Sequence, residues 1–362
     1  MILFDPTLDM AFQDYGIMLP IMKSRAERVF RAVQERRGTL TGPLSAADIP
    51  GAAERLREGA GDLVVTREDL ERVHDAGFVR DLLGEGPEGQ KGLEKALLNA
   101  YELIDDEGKP NRYEPDRAIK PLTALFDTVL NQVRGTYTAC RIALSGGEGF
   151  CYYLGGGMHH ARYDSGAGFC VINDLVIAAR KIQAEGRAKL IWIVDVDAHK
   201  GDGSAELVRF ARDRGELGGK SGGENILTLS IHMAQGWPLD AETLEKAGPG
   251  RAPLIPSDVE IPVNHGEEPQ YIEKLTAGLR RLEDLSPEGK PDLIIVVDGA
   301  DPYENDGLPS SSTLTLTLEQ CLARDRTIFD YVTRRNIPSA WVMAGGYGDR
   351  AWEPPAEFLS SL

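Results

Sequence analysis

Two kinds of apolar pattern alternate along the chain. Continuous apolar runs of strand-forming residues occupy 150–154, 190–194, 226–231, 293–297 and 340–343. A run without polar alternation predicts a strand covered on both faces. Between and before the runs, apolar residues recur at helical spacing. This predicts helices over 14–34 (Ile21, Met22, Ala26, Val29, Phe30, Val33), 93–103, 121–144 (Leu122, Leu125, Val129, Val133, Ala139, Ile142), 173–183, 270–282 and 318–333. Thr66, with Asp69 three residues on, marks a further helix start that runs through Leu70 and Val73. Residues 84–118 mix Gly, Pro and charge around one short helical piece and predict a surface excursion. Strands alternating with helices predict an α/β fold, a central and mostly parallel sheet flanked by helices on both faces. No linker-like break interrupts the composition, so residues 1–362 are expected to form a single domain.

In such sheets a site lies outside the carboxyl ends of the strands. The first run ends in Gly155-Gly156-Gly157-Met158-His159-His160 and the second in Asp195-Val196-Asp197-Ala198-His199. The others end in His232, in Asp298-Gly299-Ala300-Asp301 and in Ala344-Gly345-Gly346-Tyr347. If the backbone stays extended, Asp195, Asp197 and His199 share one face. Two ionised carboxylates at the end of a buried strand are costly unless a cation neutralises them. Carboxylate and imidazole ligands without thiolate suit zinc, iron(II), cobalt or manganese. Asp197 and His199 are the natural pair and Asp301 the natural third ligand, leaving positions open for water and substrate. His159 and His160, adjacent in a loop, suit general acid–base catalysis. Each needs a partner on its other nitrogen, and Asp195 and Asp202 are spare carboxylates nearby. Tyr347 could donate to a developing oxyanion. Asp298 and Asp306 read as ordinary turn formers, and the lone His74 as structural.

Composition narrows the partners. Lys plus Arg number 40 against 57 Asp plus Glu, a net charge of −17 over 362 residues. This argues against nonspecific binding to nucleic acid or anionic lipid, and mildly favours cationic substrates such as lysine derivatives or polyamines. Cys140, Cys151, Cys170 and Cys321 form no CxxC pair and read as reduced thiols, so a cytoplasmic location is expected. The opening Met1-Ile2-Leu3-Phe4-Asp5-Pro6 lacks a basic region and a long apolar stretch, and no segment approaches the ~20 apolar residues of a membrane span. The Gly-rich stretch 215–223 contains Gly-Lys-Ser but lacks the preceding strand and glycine spacing of a phosphate loop, so a flexible turn is expected.

Gly156-Gly157-Met158-His159-His160-Ala161, Gly168-Phe169-Cys170-Val171-Ile172-Asn173-Asp174 and Asp195-Val196-Asp197-Ala198-His199-Lys200-Gly201-Asp202-Gly203 together closely resemble motifs of the zinc-dependent histone deacetylase family. Gly299-Ala300-Asp301 and Gly345-Gly346-Tyr347 match later motifs in order, and Val73-His74-Asp75 and Gly135-Thr136-Tyr137-Thr138-Ala139 match weaker upstream ones. The family includes acetylpolyamine amidohydrolases and acetoin-utilisation proteins and lies within the arginase–deacetylase superfamily.

The resemblance implies hydrolysis of an acyl-lysine or acylpolyamine amide. Asp197, His199 and Asp301 would hold the metal, with Asp195 behind His159 and Asp202 behind His160. Tyr347 would polarise the carbonyl, and Phe169 would line an acyl-lysine channel beside Gly168. A structural potassium would sit on the main-chain carbonyls of Asp195, Asp197, His199 and Ile231 and the Ser230 hydroxyl. Three departures stand out. Lys200 occupies the place of a frequent second histidine. Met233-Ala234-Gln235-Gly236-Trp237-Pro238 replaces the usual segment after His232, with Trp237 a candidate for the opposite channel wall. The early-loop acid that anchors substrate in relatives has three candidates, Asp105, Asp106 and Glu107. Two rivals compete with this reading. An arginase-type ureohydrolase would need a carboxylate where Gly201 stands, and an inactive acyl-ligand sensor would be marked by a lost ligand, histidine or tyrosine.

Overall fold

The apolar runs become the middle of a sheet buried on both sides. The computed structural model describes residues 1–4, 10–22, 24–37, 64–105, 107–147, 149–218, 223–287 and 289–362. In chain order the described elements are β1 (Ile2–Leu3), α1 (Arg25–Arg37), α2 (Arg67–Glu71), α3 (Ala76–Leu82), α4 (Gln90–Ala100), α5 (Leu125–Leu144), β2 (Phe150–Tyr153), α6 (Asp174–Ala184), β3 (Leu190–Asp195) and α7 (Asp202–Asp213). They continue with β4 (Asn225–Met233), α8 (Ala241–Ala247), β5 (Val259–Val263), α9 (Tyr271–Leu285), β6 (Leu293–Val297), α10 (Leu318–Arg335), β7 (Ser339–Val342) and α11 (Glu353–Ser360). The strands lie in the order β1-β2-β7-β6-β3-β4-β5, and every neighbouring pair is parallel.

Strand β3 shows why its run is continuous. Ile191 and Ile193 point into a core shared with α5, α6 and α7, whereas Trp192 and Val194 point into a second core with α1, α9, α10 and α11. Successive side chains alternate between faces, so both faces need apolar residues. The expected α/β architecture is therefore present, with parallel pairing throughout.

Several expectations are corrected. The stretch 14–34 is not one helix: Phe12–Tyr15 is a short 3-10 turn, and α1 starts only at Arg25. Pro20 disfavours helical backbone before it, and Gly16 adopts the left-handed region at φ 76°. Strand β5 carries Glu260 and Pro262, lies at the sheet edge and shows no apolar run. Of the Gly-rich stretch 215–223, residues 219–222 lie outside the described residues.

The capping box at Thr66 and Asp69 is present. Just beyond α2, His74 is buried and faces the main chain of the site: its Nδ1–H donates to the Arg162 carbonyl (2.8 Å) and its Nε2 accepts the Asn173 N–H (3.0 Å). Both bonds require neutral imidazole, and burial pushes its pKa down from 6.5 to about 4. A histidine whose folded pKa is depressed stabilises fully above its unfolded value and loses that contribution as pH falls toward the folded one. Stability should therefore drop by about 3 kcal/mol between pH 6.5 and pH 4. Urea denaturation across this range checks it, since the His74→Gln variant should lose that part of the pH dependence; an unchanged slope refutes it.

Candidate active site

The site is assembled from four strand ends. After β3 the chain continues with Val196 and Ala198 fully buried, and it turns Asp197 and His199 toward the carboxyl edge. Backbone amides set the carboxylates: Asp197 N–H donates to Asp195 Oδ1 (3.2 Å) and His199 N–H to Asp197 Oδ1 (3.0 Å). Asp301, beyond β6, accepts from Ala198 N–H (3.0 Å), and Gly345, beyond β7, donates to Asp197 Oδ2 (3.1 Å). A Cβ on Gly345 would lie 2.4 Å from that oxygen, so only glycine fits there. His199 Nδ1 lies 2.8 Å from Asp301 Oδ2 and 3.2 Å from Asp197 Oδ1. One donor atom from each of Asp197, His199 and Asp301 falls within 4.8 Å of the others, and all three residues are buried.

The charges explain what such a group can hold. Burial opposes an imidazolium, yet Asp197 and Asp301 push His199 up to about 10. Burial and the Asp197 carboxylate push Asp301 up to about 6. Two carboxylates and an imidazole this close and this dry favour positive charge among them, which fits a divalent cation.

The tandem histidines stand beside this group. His159 Nδ1–H donates to Asp195 Oδ2 (2.7 Å) and His160 Nδ1–H to Asp202 Oδ1 (2.7 Å). Arg162 holds the other Asp202 oxygen (3.2 Å). The two imidazoles lie 3.9 Å apart and differ in charge. Burial opposes it, but Asp195 and Asp197 push His159 up to about 9. Burial and the neighbouring His159 push His160 down to about 3, which leaves it neutral. Asp174 fixes the loop carrying both, accepting from the amides of Gly157 (2.9 Å) and Met158 (2.6 Å).

Tyr347 is buried, and burial with nearby Asp301 and Asp197 raises its pKa and keeps the phenol protonated. Its backbone N–H donates to Asp306 (2.6 Å). Arg25, buried at the start of α1, donates to the carbonyls of Gly346 (2.6 Å) and Ala344 (2.5 Å) and so ties down the glycine turn before the tyrosine. Sequence pattern offers no signal for Arg25, one arginine among several on its helix. Asp298 is more than a turn former. It receives Arg324 Nη2 (2.7 Å) and Tyr152 OH (2.8 Å), while Arg324 also holds the Gly299 carbonyl (2.7 Å), anchoring the loop that delivers Asp301.

A cavity of about 200 Å³ leads down to His160, His199 and Tyr347 and is walled by Phe169, Gly168 and Trp237. The Trp237 ring lies 4.5 Å from that of His160 and 5.9 Å from that of His199. A Cβ on Gly168 would meet the Trp237 ring at 2.3 Å, which explains the glycine. A second cavity of about 150 Å³ adjoins it, sharing His160, His199 and Tyr347 and extending past Asp197 to Met22, Arg25 and Met158. The two described early-loop acids, Asp105 and Glu107, line neither cavity. Asp105 accepts the amides of Glu107 (3.0 Å) and Lys109 (2.8 Å) within its own turn, Glu107 pairs with Lys109, and Asp106 lies outside the described residues. Glu102 reaches the mouth of the cavity instead.

Lys200 finds a structural explanation. It is buried and its ammonium pairs with Glu260 on β5, which also lies 3.4 Å from His232 Nε2. Ser230 Oγ, 2.9 Å from His232 Nδ1, accepts the Gly201 N–H (3.3 Å). Asp195 and Ser230, two of the residues suggested for potassium, are register partners across β3 and β4.

A doubly covered parallel sheet whose strand ends gather a buried Asp–His–Asp group and two carboxylate-backed histidines defines an α/β protein with a candidate metal centre. The histidine-and-aspartate motifs share their family with known proteins: residues 20–357 match the model of the histone deacetylase domain, and the chain belongs to the histone deacetylase family. It is 32% identical over 219 residues to an uncharacterized protein of Picosynechococcus sp., covering 60% of this chain and 62% of that one. It is 28% identical over 302 residues to the acetoin utilization protein AcuC of Bacillus subtilis, covering 81% and 68%. Histone deacetylase 2 of Arabidopsis thaliana is 26% identical over 231 residues, covering 64% of this chain and 52% of that protein. The chain thus spans only about half to two thirds of these curated relatives. The fold is shared with a solved acetylpolyamine aminohydrolase of Burkholderia pseudomallei, with a TM-score of 0.61, 20% identity and coverage of 99% and 97%.

Proposed function

We propose that this protein is a metal-dependent amidohydrolase that removes acetyl or another short acyl group from a lysine side chain or a polyamine. The carrying observation is that Asp197, His199 and Asp301 converge beside a neutral, Asp202-backed His160. Zinc is the ion the donor set suits best, with iron(II), cobalt or manganese as alternatives. A divalent ion there supplies Lewis-acid polarisation of the acyl carbonyl and acidification of water.

The chain's own groups do the rest. His160 Nε2, with Nδ1 committed to Asp202, accepts the proton as water attacks the carbonyl carbon. The Tyr347 hydroxyl donates to the oxyanion that develops. A histidine of the pair returns a proton to the amine nitrogen as the C–N bond breaks, leaving a carboxylate and a free amine. Phe169 and Trp237 flank the aliphatic stem. A potassium ion on the carbonyls of Asp195, Asp197, His199 and Ile231 and the Ser230 hydroxyl would stiffen the end of β3. Among the described residues no helix is long and apolar enough to cross a membrane. The four cysteines are buried and unpaired, which fits a reducing cytoplasm.

The test is direct. Purified protein should release acetate from an acetyl-lysine peptide, free acetyl-lysine or an acetylated polyamine. A chelator should abolish this and added zinc restore it. Failure across a panel of acyl lengths and carriers, with bound metal confirmed by elemental analysis, would leave a ligand-binding protein and overturn the enzyme.

A further inference from the structure

The mouth of the cavity carries a charge pair that the hydrolytic step does not use. Glu102 and Arg112 face each other across a short ribbon, joined by the Ile104–Pro110 bridge and by Asn111 N–H on the Leu103 carbonyl (2.8 Å). Asn111 Nδ2 also donates to the Glu102 carbonyl (3.0 Å), and the Arg112 carbonyl accepts Met18 N–H (2.8 Å). Both residues adopt left-handed backbone, at φ 54° and 52°, which is uncommon for long side chains. The ribbon thus holds two opposite charges in a set position at the opening.

Their heads remain available. The pair meets through a single contact at 3.5 Å, and the side chains are 42% and 41% exposed. A guanidinium engaged by one nitrogen at that distance keeps most of its fork free for a carboxylate. The Glu102 carboxylate likewise retains acceptor positions. The Arg112 guanidinium lies 5.8 Å from the centre of the Phe169 ring, and that ring lies 6.1 Å from Tyr347. The mouth cation is therefore at most about 12 Å from the tyrosine ring at the cavity floor. An extended lysine side chain places its α-carboxyl about 9 Å from the carbon of an acyl group on its nitrogen. That length falls within this bound, so a lysine with its acyl carbonyl on the floor can reach the pair with its α-carbon substituents.

We propose that Glu102 and Arg112 select a free α-amino acid bearing an acylated side-chain amine, with Arg112 binding the α-carboxylate and Glu102 the α-ammonium. This rests on the amidohydrolase reading above and names its substrate class. A lysine inside a peptide brings neither charge. An acylated diamine brings an ammonium for Glu102 but no carboxylate for the Arg112 fork. A free acyl-lysine matches both signs at once.

The experiment compares kcat/KM on the metal-loaded protein for free Nε-acetyllysine and three probes. These are its α-N-acetyl derivative, its doubly capped α-N-acetyl methylamide, and N-acetylcadaverine, the same chain without a carboxylate. Free acetyllysine should lead each by on the order of tenfold. Arg112→Gln should shrink the lead over acetylcadaverine by a similar factor, through KM rather than kcat, and Arg112→Glu should reverse that preference. Glu102→Gln should shrink the lead over the α-N-acetyl derivative. Equal or faster turnover of the doubly capped substrate, or a preference unmoved by Arg112→Glu, overturns this selection and leaves the amidohydrolase standing. Equal turnover of the α-N-acetyl derivative by the unaltered protein overturns the role of Glu102. No turnover of any of the four with metal bound overturns this selection, and the panel of acyl lengths and carriers then decides the amidohydrolase reading.

Discussion

Replacing His160 by alanine should lower kcat by about a thousandfold while leaving metal content and melting temperature close to those of the parent. The imidazole is held neutral because burial and the adjacent His159 push its pKa down to about 3, which leaves a lone pair on its free nitrogen for the proton. Its Nδ1–H is spent on Asp202, 2.7 Å away, so the free nitrogen is the one that works. Its ring centre is 5.9 Å from that of His199, close to the metal group without belonging to it. Steady-state kinetics, elemental analysis and thermal melting of the same preparation separate the roles. Retained turnover would transfer the base function to His159. Lost metal together with lost turnover would show that His160 supports the metal centre instead. Asp202→Asn should fall between parent and His160→Ala, because it removes the charge behind the base and leaves the base itself.

The parts of the fold legible in the sequence are those where burial is uniform. Residues 190–194 of β3 and all of β6 are apolar because both of their faces are covered, and each run leads directly into its acids. Strand β5 carries no apolar signature because an edge position tolerates Glu260 and Pro262. Helix α7 was hidden in plain view: it opens at Asp202, inside a motif whose residues draw attention to chemistry rather than to helix formation. The acids and histidines of the site were legible because alternation and strand ends imply where they point. Arg25, Asp174 and Arg324 were not, since each acts through contacts with loops distant in sequence. Lys200 resisted for the same reason, its partner being Glu260 on a different strand. In the early loop a tight turn spends Asp105 on its own amides and pairs Glu107 with Lys109, while Glu102, outside the three candidates, lines the cavity.

The second large effect concerns Asp301. Asp301→Asn should abolish stabilisation by added zinc and reduce turnover at least about a thousandfold. In the parent, Asp301 Oδ2 lies 2.8 Å from His199 Nδ1, and its other oxygen is held by the Ala198 amide at 3.0 Å. The asparagine keeps the shape and a carbonyl oxygen for that amide but removes one of the two buried anions. A ligand that binds only the folded protein stabilises it by RT ln(1 + [L]/Kd), about 4 kcal/mol at a thousandfold excess over Kd. Thermal melting with and without zinc should therefore show a shift of several degrees in the parent and little or none in the variant. Without added metal the variant should melt no lower than the parent, because Asp197 and Asp301 repel each other across the same space and the substitution removes that repulsion. A variant that still gains the parent's full shift would show that the ion sits elsewhere. A variant that melts well below the metal-free parent would show instead that Asp301 chiefly holds the loop, and the assignment of the metal group would have to move.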